Sequence, residues 1–222
     1  VRYIKEHEVA SRMDALGLTA TLLRDAVEEG VAQVLSCTAN DPEQLPGILG
    51  WGKITRALRD RVVGHPLNWQ RANHRGQPST VRPDGSVAII VASGTEETGN
   101  EAGADPATRS TKGPATQDAI ARNLLTFSSI APDFKKYDPP PPPPSAEQTW
   151  VLLYFIDEDA SEVRLEVSLP EYMDSDNHVS RWRARIILAP IPLDQPPLPS
   201  ETEEEEEDGR YEAPVSRAER DA

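Results

Sequence analysis

The chain has 222 residues, of which 37% are hydrophobic, with 21 Pro, one Cys and a formal charge of −14. That length holds one domain or two small ones. A lone cysteine excludes an intrachain disulfide and a Cys-based zinc site, and no apolar run approaches the roughly 20 residues that span a bilayer.

No signal-peptide pattern opens the chain. The expected setting is therefore a reducing cytoplasm, without membrane contact. The charge is uneven. Residues 1–90 hold 11 Lys/Arg against 10 Asp/Glu, whereas residues 91–222 hold 12 against 27. The acidic total disfavours generic attraction to polyanions, so local clusters decide what the surface can bind.

The first elements read as helices. Val9, Met13 and Leu16 share a stripe over 5–16, and Gly17 suits the position after a helix end. Leu22, Leu23, Ala26, Val27, Val31, Val34 and Leu35 recur at three- and four-residue spacing over 20–37, with Thr19 or Thr21 as N-cap. Cys37 near that helix end reads as a small buried hydrophobe. Asn40-Asp41-Pro42 breaks the pattern, and Leu45-Pro46-Gly47 reads as a turn. A third helix is expected over 50–63, with Ile54, Ala57, Leu58 and Val62 inward and Lys53, Arg56 and Arg59 outward.

Thr80–Arg82, a Pro83-Asp84-Gly85 turn and Val87–Val91 form a hairpin signal. Three helices followed by a hairpin is the order of a winged helix-turn-helix. Residues 94–116 are Gly, Thr, Asp, Glu and Pro with almost no apolar anchor, and read as a long exposed loop. An amphipathic helix is expected over 116–128, and Pro139–Pro144 as a polyproline II spacer.

Trp150–Ile156 is a near-continuous apolar strand. Glu162–Leu169 alternates, with Val163, Leu165, Val167 and Leu169 inward and Glu162, Arg164, Glu166 and Ser168 outward. Arg181–Leu188 alternates with Trp182, Ala184, Ile186 and Leu188 inward. The pattern predicts a three-stranded antiparallel meander with one wet face. On that face Glu162 and Glu166 would meet some of Arg181, Arg183 and Arg185 as exposed pairs, each contributing about 1 kcal/mol or less. Glu203–Asp208 is six consecutive acids, and residues 201–222 hold 10 acids against 3 bases. That composition predicts a disordered tail.

The fold class is thus α+β. Residues 1–135 form a helical, winged-helix-like region, 136–148 a Pro-rich spacer, 149–190 the meander packed on the first region or joined to its hairpin, and 191–222 the acidic tail.

The candidate site is cationic. Lys53, Arg56, Arg59, Arg71, Arg75 and Arg82 cluster on one helix and hairpin, where Lys and Arg would contact phosphates and Asn68, Gln70, Asn73 and Gln77 base edges. The plainer reading is a set of ordinary surface bases. Two other classes compete with a nucleic-acid-contacting regulator. One is a protein adaptor or inhibitor that uses the acidic tail toward a basic partner. The other is a metal-dependent hydrolase at the 94–116 loop, built on Glu96, Glu97, Asp105 and Lys112. The loop lacks the spacing of a phosphate-binding P-loop, and no carboxylate-x-Lys pair sits on a strand. The four histidines, His7, His65, His74 and His178, show no ligand spacing. No catalytic residue, metal or cofactor is assigned, and the leading reading is non-enzymatic.

Certain phrases carry a resemblance. They are Ala88-Ile89-Ile90-Val91-Ala92-Ser93-Gly94 to Thr98-Gly99, Lys112-Gly113-Pro114-Ala115-Thr116, Leu165-Glu166-Val167-Ser168-Leu169-Pro170, and Trp182 with Arg185-Ile186-Ile187-Leu188. Over roughly residues 48–190 the chain resembles uncharacterised bacterial proteins of prophage-like and other mobile regions. The resemblance implies a bacterial cytoplasmic setting and transfers no activity to any residue.

Overall fold

The computed structural model describes residues 2–3, 6–128 and 148–193. The proline run and the acidic tail beyond Leu193 lie outside these residues. Helices α1 (Glu6–Leu16), α2 (Ala20–Leu35) and α3 (Leu45–Val62) precede strands β2 (Gln70–His74), β3 (Gln77–Val81) and β4 (Val87–Ser93). Helix α4 (Pro114–Ser128) and strands β5 (Gln148–Asp157), β6 (Glu162–Met173) and β7 (Val179–Pro192) follow, and a two-residue strand β1 (Arg2–Tyr3) opens the chain. The strands form one seven-stranded sheet in the order β1-β7-β6-β5-β4-β3-β2.

That sheet is mixed. Strands β2, β3 and β4 run as an antiparallel set, and so do β5, β6 and β7. The two sets join through a parallel β4–β5 pair, from Val87 beside Gln148 to Ser93 beside Tyr154. Parallel neighbours need a long crossover, and α4 lies within it. The C-terminal strands are therefore three of a seven-stranded sheet, joined to the hairpin strands as one of the two expected arrangements had it. The winged-helix expectation gives way. Helix α3 packs on α2 and the sheet, and its hairpin strands continue into that sheet, so the hairpin is no projecting wing.

Alternation sorts the side chains between two cores. Val87, Ile89 and Val91 of β4, with Trp150, Leu152 and Tyr154 of β5, face α1–α3. Ile90 and Ala92, with Val151 and Leu153, face α4 beside Ile120. Both faces are covered, which is why β4 and β5 read as unbroken apolar runs. Asn123 fastens α4 to the sheet. Its amide nitrogen donates to the Thr149 carbonyl at 3.0 Å and its amide oxygen accepts from the Thr149 nitrogen at 2.8 Å.

Two glycines set how closely the helix layer packs. A Cβ at Gly30 of α2 would collide with the Cγ1 of Ile54 and come 2.7 Å from its backbone nitrogen. A Cβ at Gly50 of α3 would stand 2.6 Å from the Tyr154 hydroxyl. The turn expected at Leu45-Pro46-Gly47 is instead the first turn of α3, where Pro lacks a donor that the helix would not use. The sequence marks Trp69–Ala72 ahead of the hairpin without pairing it, and the structure has β2 there, over Gln70–His74. It pairs with β3 across Arg75 and Gly76, which have φ values of 48° and 82°. Successive left-handed residues make the tight hairpin turn that matches strand twist. Cys37 is half-buried just past α2 and not a core residue.

The Tyr154 phenol is buried under α3, and burial pushes its pKa up to about 12, opposed by the nearby Arg109 charge. An unfolded tyrosine ionises near 10. The neutral phenol is therefore favoured in the fold, and its contribution is complete below about pH 10 and lost as pH rises to about 12. Stability measured by urea denaturation should fall across that window, and Tyr154→Phe should flatten the fall. An unchanged slope in the variant would contradict the burial.

Candidate functional site

The segment after β4 was expected to be a solvated loop. It is instead clamped across the α4 side of the sheet, and Gly94, Thr98, Pro106 and Thr108 are buried. Three contacts stand out among those that hold it. The Trp182 indole donates to the Pro106 carbonyl at 2.7 Å. The Thr108 nitrogen donates to the Val179 carbonyl at 2.9 Å, and the Val179 nitrogen returns a bond to the Thr108 hydroxyl at 3.1 Å.

The third contact is a buried ion pair. Arg185 of β7 meets Glu166 of β6 in a two-pronged contact, Nε to Oε1 at 3.0 Å and Nη2 to Oε2 at 2.6 Å. Both side chains are 0% exposed. Glu166 also accepts from the Ser168 hydroxyl at 2.6 Å and from the Gly99 nitrogen at 2.9 Å. Arg185 donates to the carbonyls of Glu97 and Asn100, each at 3.3 Å, and stands 3.6 Å from Asp105. The strands carrying Glu166 and Arg185 were correctly expected to oppose each other. The face was expected to be wet, and the loop makes it dry.

Trp182 supplies a second correction. It was expected inward with Ala184, Ile186 and Leu188. Ile186 and Leu188 do face α1–α3, but Trp182 lies in the opposite core. The register slips between Leu169 and Pro170, so that Leu169 pairs with Ala184 and Pro170 with Trp182. A bulge adds one residue and reverses the side that follows.

The six expected cationic residues divide. Arg75 turns to the α4 side and pairs with Asp118 at 3.0 Å. Arg82 is held by Asp84 at 2.6 Å and donates to the Ala15 carbonyl of α1 at 2.9 Å. Those bonds from Arg82, with others from Ser86, keep the Asp84 carboxyl well below the usual carboxylate range. Arg75 and Arg82 thus act as fasteners. Arg61 of α3, likewise, is closed by Glu29 at 2.8 Å.

The other four lie on α3 and on the strand β2 that Arg59 reaches. Lys53 and Arg56 lie on the outer stripe of α3, and Arg56 makes only an exposed pair with Asp60 at 3.3 Å. Arg59 reaches from α3 to the hairpin, donating to the carbonyls of Ala72 and Ser79 at 3.0 Å each. Arg71 of β2 opposes Thr80, which opposes the helix-facing Ile89. Cross-strand partners share a face, so Arg71 projects toward α3. Burial and the Arg71 charge together push the Arg59 guanidinium below its usual value. Among the described residues neither Lys53 nor Arg71 has an ion-pair partner. Of the polar side chains expected to reach bases, Asn68 bonds to the Pro66 carbonyl and Gln77 to Thr116.

Elsewhere a cleft of about 640 Å³ opens between α1, α2 and β7, bordered by Met13, Arg24, Glu101 and Ile187. No local motif announces it, because its walls come from distant parts of the chain. Among the described residues no group of three or more His, Cys, Asp or Glu could hold a metal ion. No helix there is long and apolar enough to cross a membrane. No protein-family model, curated protein or solved structure matches the chain.

Removing one partner of a buried pair leaves the other charge uncompensated. Arg185→Met and Glu166→Gln should each lower stability by about 3–5 kcal/mol in urea titrations. The double variant Arg185→Met/Glu166→Gln should cost clearly less than their sum. Additive losses would show that the two side chains do not act as a unit.

Proposed function

We propose that the protein is a non-enzymatic regulatory or interaction protein that contacts nucleic acid through the α3–β2 face, in a cytoplasmic setting. The observation that carries this reading is the Arg59–Arg71 pair. Arg59 is anchored on the hairpin carbonyls of Ala72 and Ser79, the exposed Arg71 projects to the same face from the residue before Ala72 and its charge depresses the Arg59 guanidinium, and Arg56 stands one helical turn away. Like charges fixed together cost free energy, and an anion placed between them relieves it. A phosphate backbone supplies a row of such anions, and arginine forks suit them. The contact is chiefly electrostatic: of the four polar side chains expected to reach bases, Asn68 and Gln77 are engaged within the fold, and the exposed Gln70 and Asn73 remain for base edges.

A protein–protein adaptor is the second reading. Leu35, Ile48 and Trp51 are 52%, 60% and 40% exposed where α2 ends and α3 begins. Such exposed apolar groups suit a protein partner better than a phosphate chain.

Titration of a labelled duplex at low salt separates the two. Arg56→Glu and Arg71→Glu should each weaken binding by about tenfold or more. Arg75→Glu, on the other side of the sheet, should stay within about twofold, since its charge makes no phosphate contact. Absence of duplex binding, both by the native chain and by a chain with its Glu203–Asp208 acids replaced by amides, would leave the adaptor reading in place.

A further inference from the structure

We propose that Glu203–Asp208 docks on the Lys53–Arg56–Arg59–Arg71 face of its own chain and competes there with polyanions. The proposal uses the face assigned above, but the contact itself needs no nucleic acid. Three observations meet in it.

The first is charge. Six consecutive acids stand in the same chain as four bases, and Lys53 and Arg71 lack an ion-pair partner among the described residues.

The second is the exit point. Leu193 packs against the core on the α1–α3 side, and its nitrogen bonds to the Ser161 carbonyl at the start of β6. Pro192 lies beside Glu162, which lies beside Asp157 at the end of β5. Strand β4 runs parallel to β5 and finishes beside Tyr154, and Gly50 of α3 sits on the Tyr154 hydroxyl. The chain therefore leaves the sheet at the end where α3 begins, and on the face that α3 occupies.

The third is reach. Helix α3 packs on β3 and β4, three to four strand steps from β7, or roughly 15–19 Å at the usual strand spacing. The nine residues 194–202 span up to roughly 30 Å. A tether of this length keeps the acids near the face at an effective concentration on the order of millimolar. That suffices for weak exposed ion pairs acting together.

The test compares two full-length ¹⁵N-labelled chains, the native one and one with Glu203–Glu207 changed to Gln and Asp208→Asn. In low salt their amide resonances should differ at Lys53, Arg56, Arg59 and Arg71. The differences should vanish at about 0.5 M salt, where exposed charges are screened over a few ångströms. The neutral-tail chain should also bind labelled duplex about two- to tenfold more tightly. Identical α3 and β2 resonances would overturn the proposal, as would differences confined to residues outside α3 and β2. If the differences appear at α3 and β2 while neither chain binds duplex, the intramolecular contact stands and the nucleic-acid reading falls.

Discussion

Glu166 and Arg185 face each other inside the protein, and the arrangement of one whole side depends on them. Removing two ions from water costs several kcal/mol each. The cost is offset only because the remaining polar atoms are occupied: Ser168 and Gly99 at the carboxylate, Glu97, Asn100 and Asp105 around the guanidinium. Three of those groups are backbone, and all but Ser168 come from one loop. The pair is therefore satisfied only when the loop is in place, and the loop has little apolar surface of its own to hold it there. Each requires the other, which makes a polar segment behave as part of the core.

This closure determines which surfaces remain for binding. The α4 side of the sheet is covered by α4 and by the clamped loop, and its loop carries acids. The opposite layer is built by α1–α3, whose outer stripe carries Lys53 and Arg56, with Arg59 bridging to the hairpin and Arg71 on the neighbouring strand β2. The bases that fasten elements, Arg61, Arg75 and Arg82, were spent on the fold. Of the six bases expected at the site, Lys53, Arg56, Arg59 and Arg71 are those the proposed nucleic-acid contact would use. The proposed docking of Glu203–Asp208 would make the chain its own competitor there.

Much of this architecture is legible in the residues. Periodicity located all four helices, and apolar runs located β4 to β7, because both signals come from burial. What failed was the assignment of exposure. Glu166, Ser168 and Arg185 alternate with apolar neighbours and read as a wet face, since period-two patterns do not reveal what lies above a sheet. A Gly- and acid-rich loop gives no sign that it packs. Trp182 between arginines, opposite a strand proline, was the one available hint, because a strand interior tolerates proline mainly at a bulge. The stretch Trp69–Ala72 was marked, but its pairing with β3 was missed because the residues are polar and the turn is Arg75-Gly76 instead of Asn-Gly. The basic cluster was visible, but not its division. That depends on Asp118 and Ala15, far away in sequence.

The interdependence of loop and ion pair is read most directly at the Gly99 amide, whose proton points at the Glu166 carboxylate. Native-state hydrogen exchange at this one position should show protection comparable to the amides of β6, opening only with the sheet. Exchange at the rate of an unstructured glycine, while β6 stays protected, would contradict the account: the loop would then be free and the buried pair would lack the partners that sustain it.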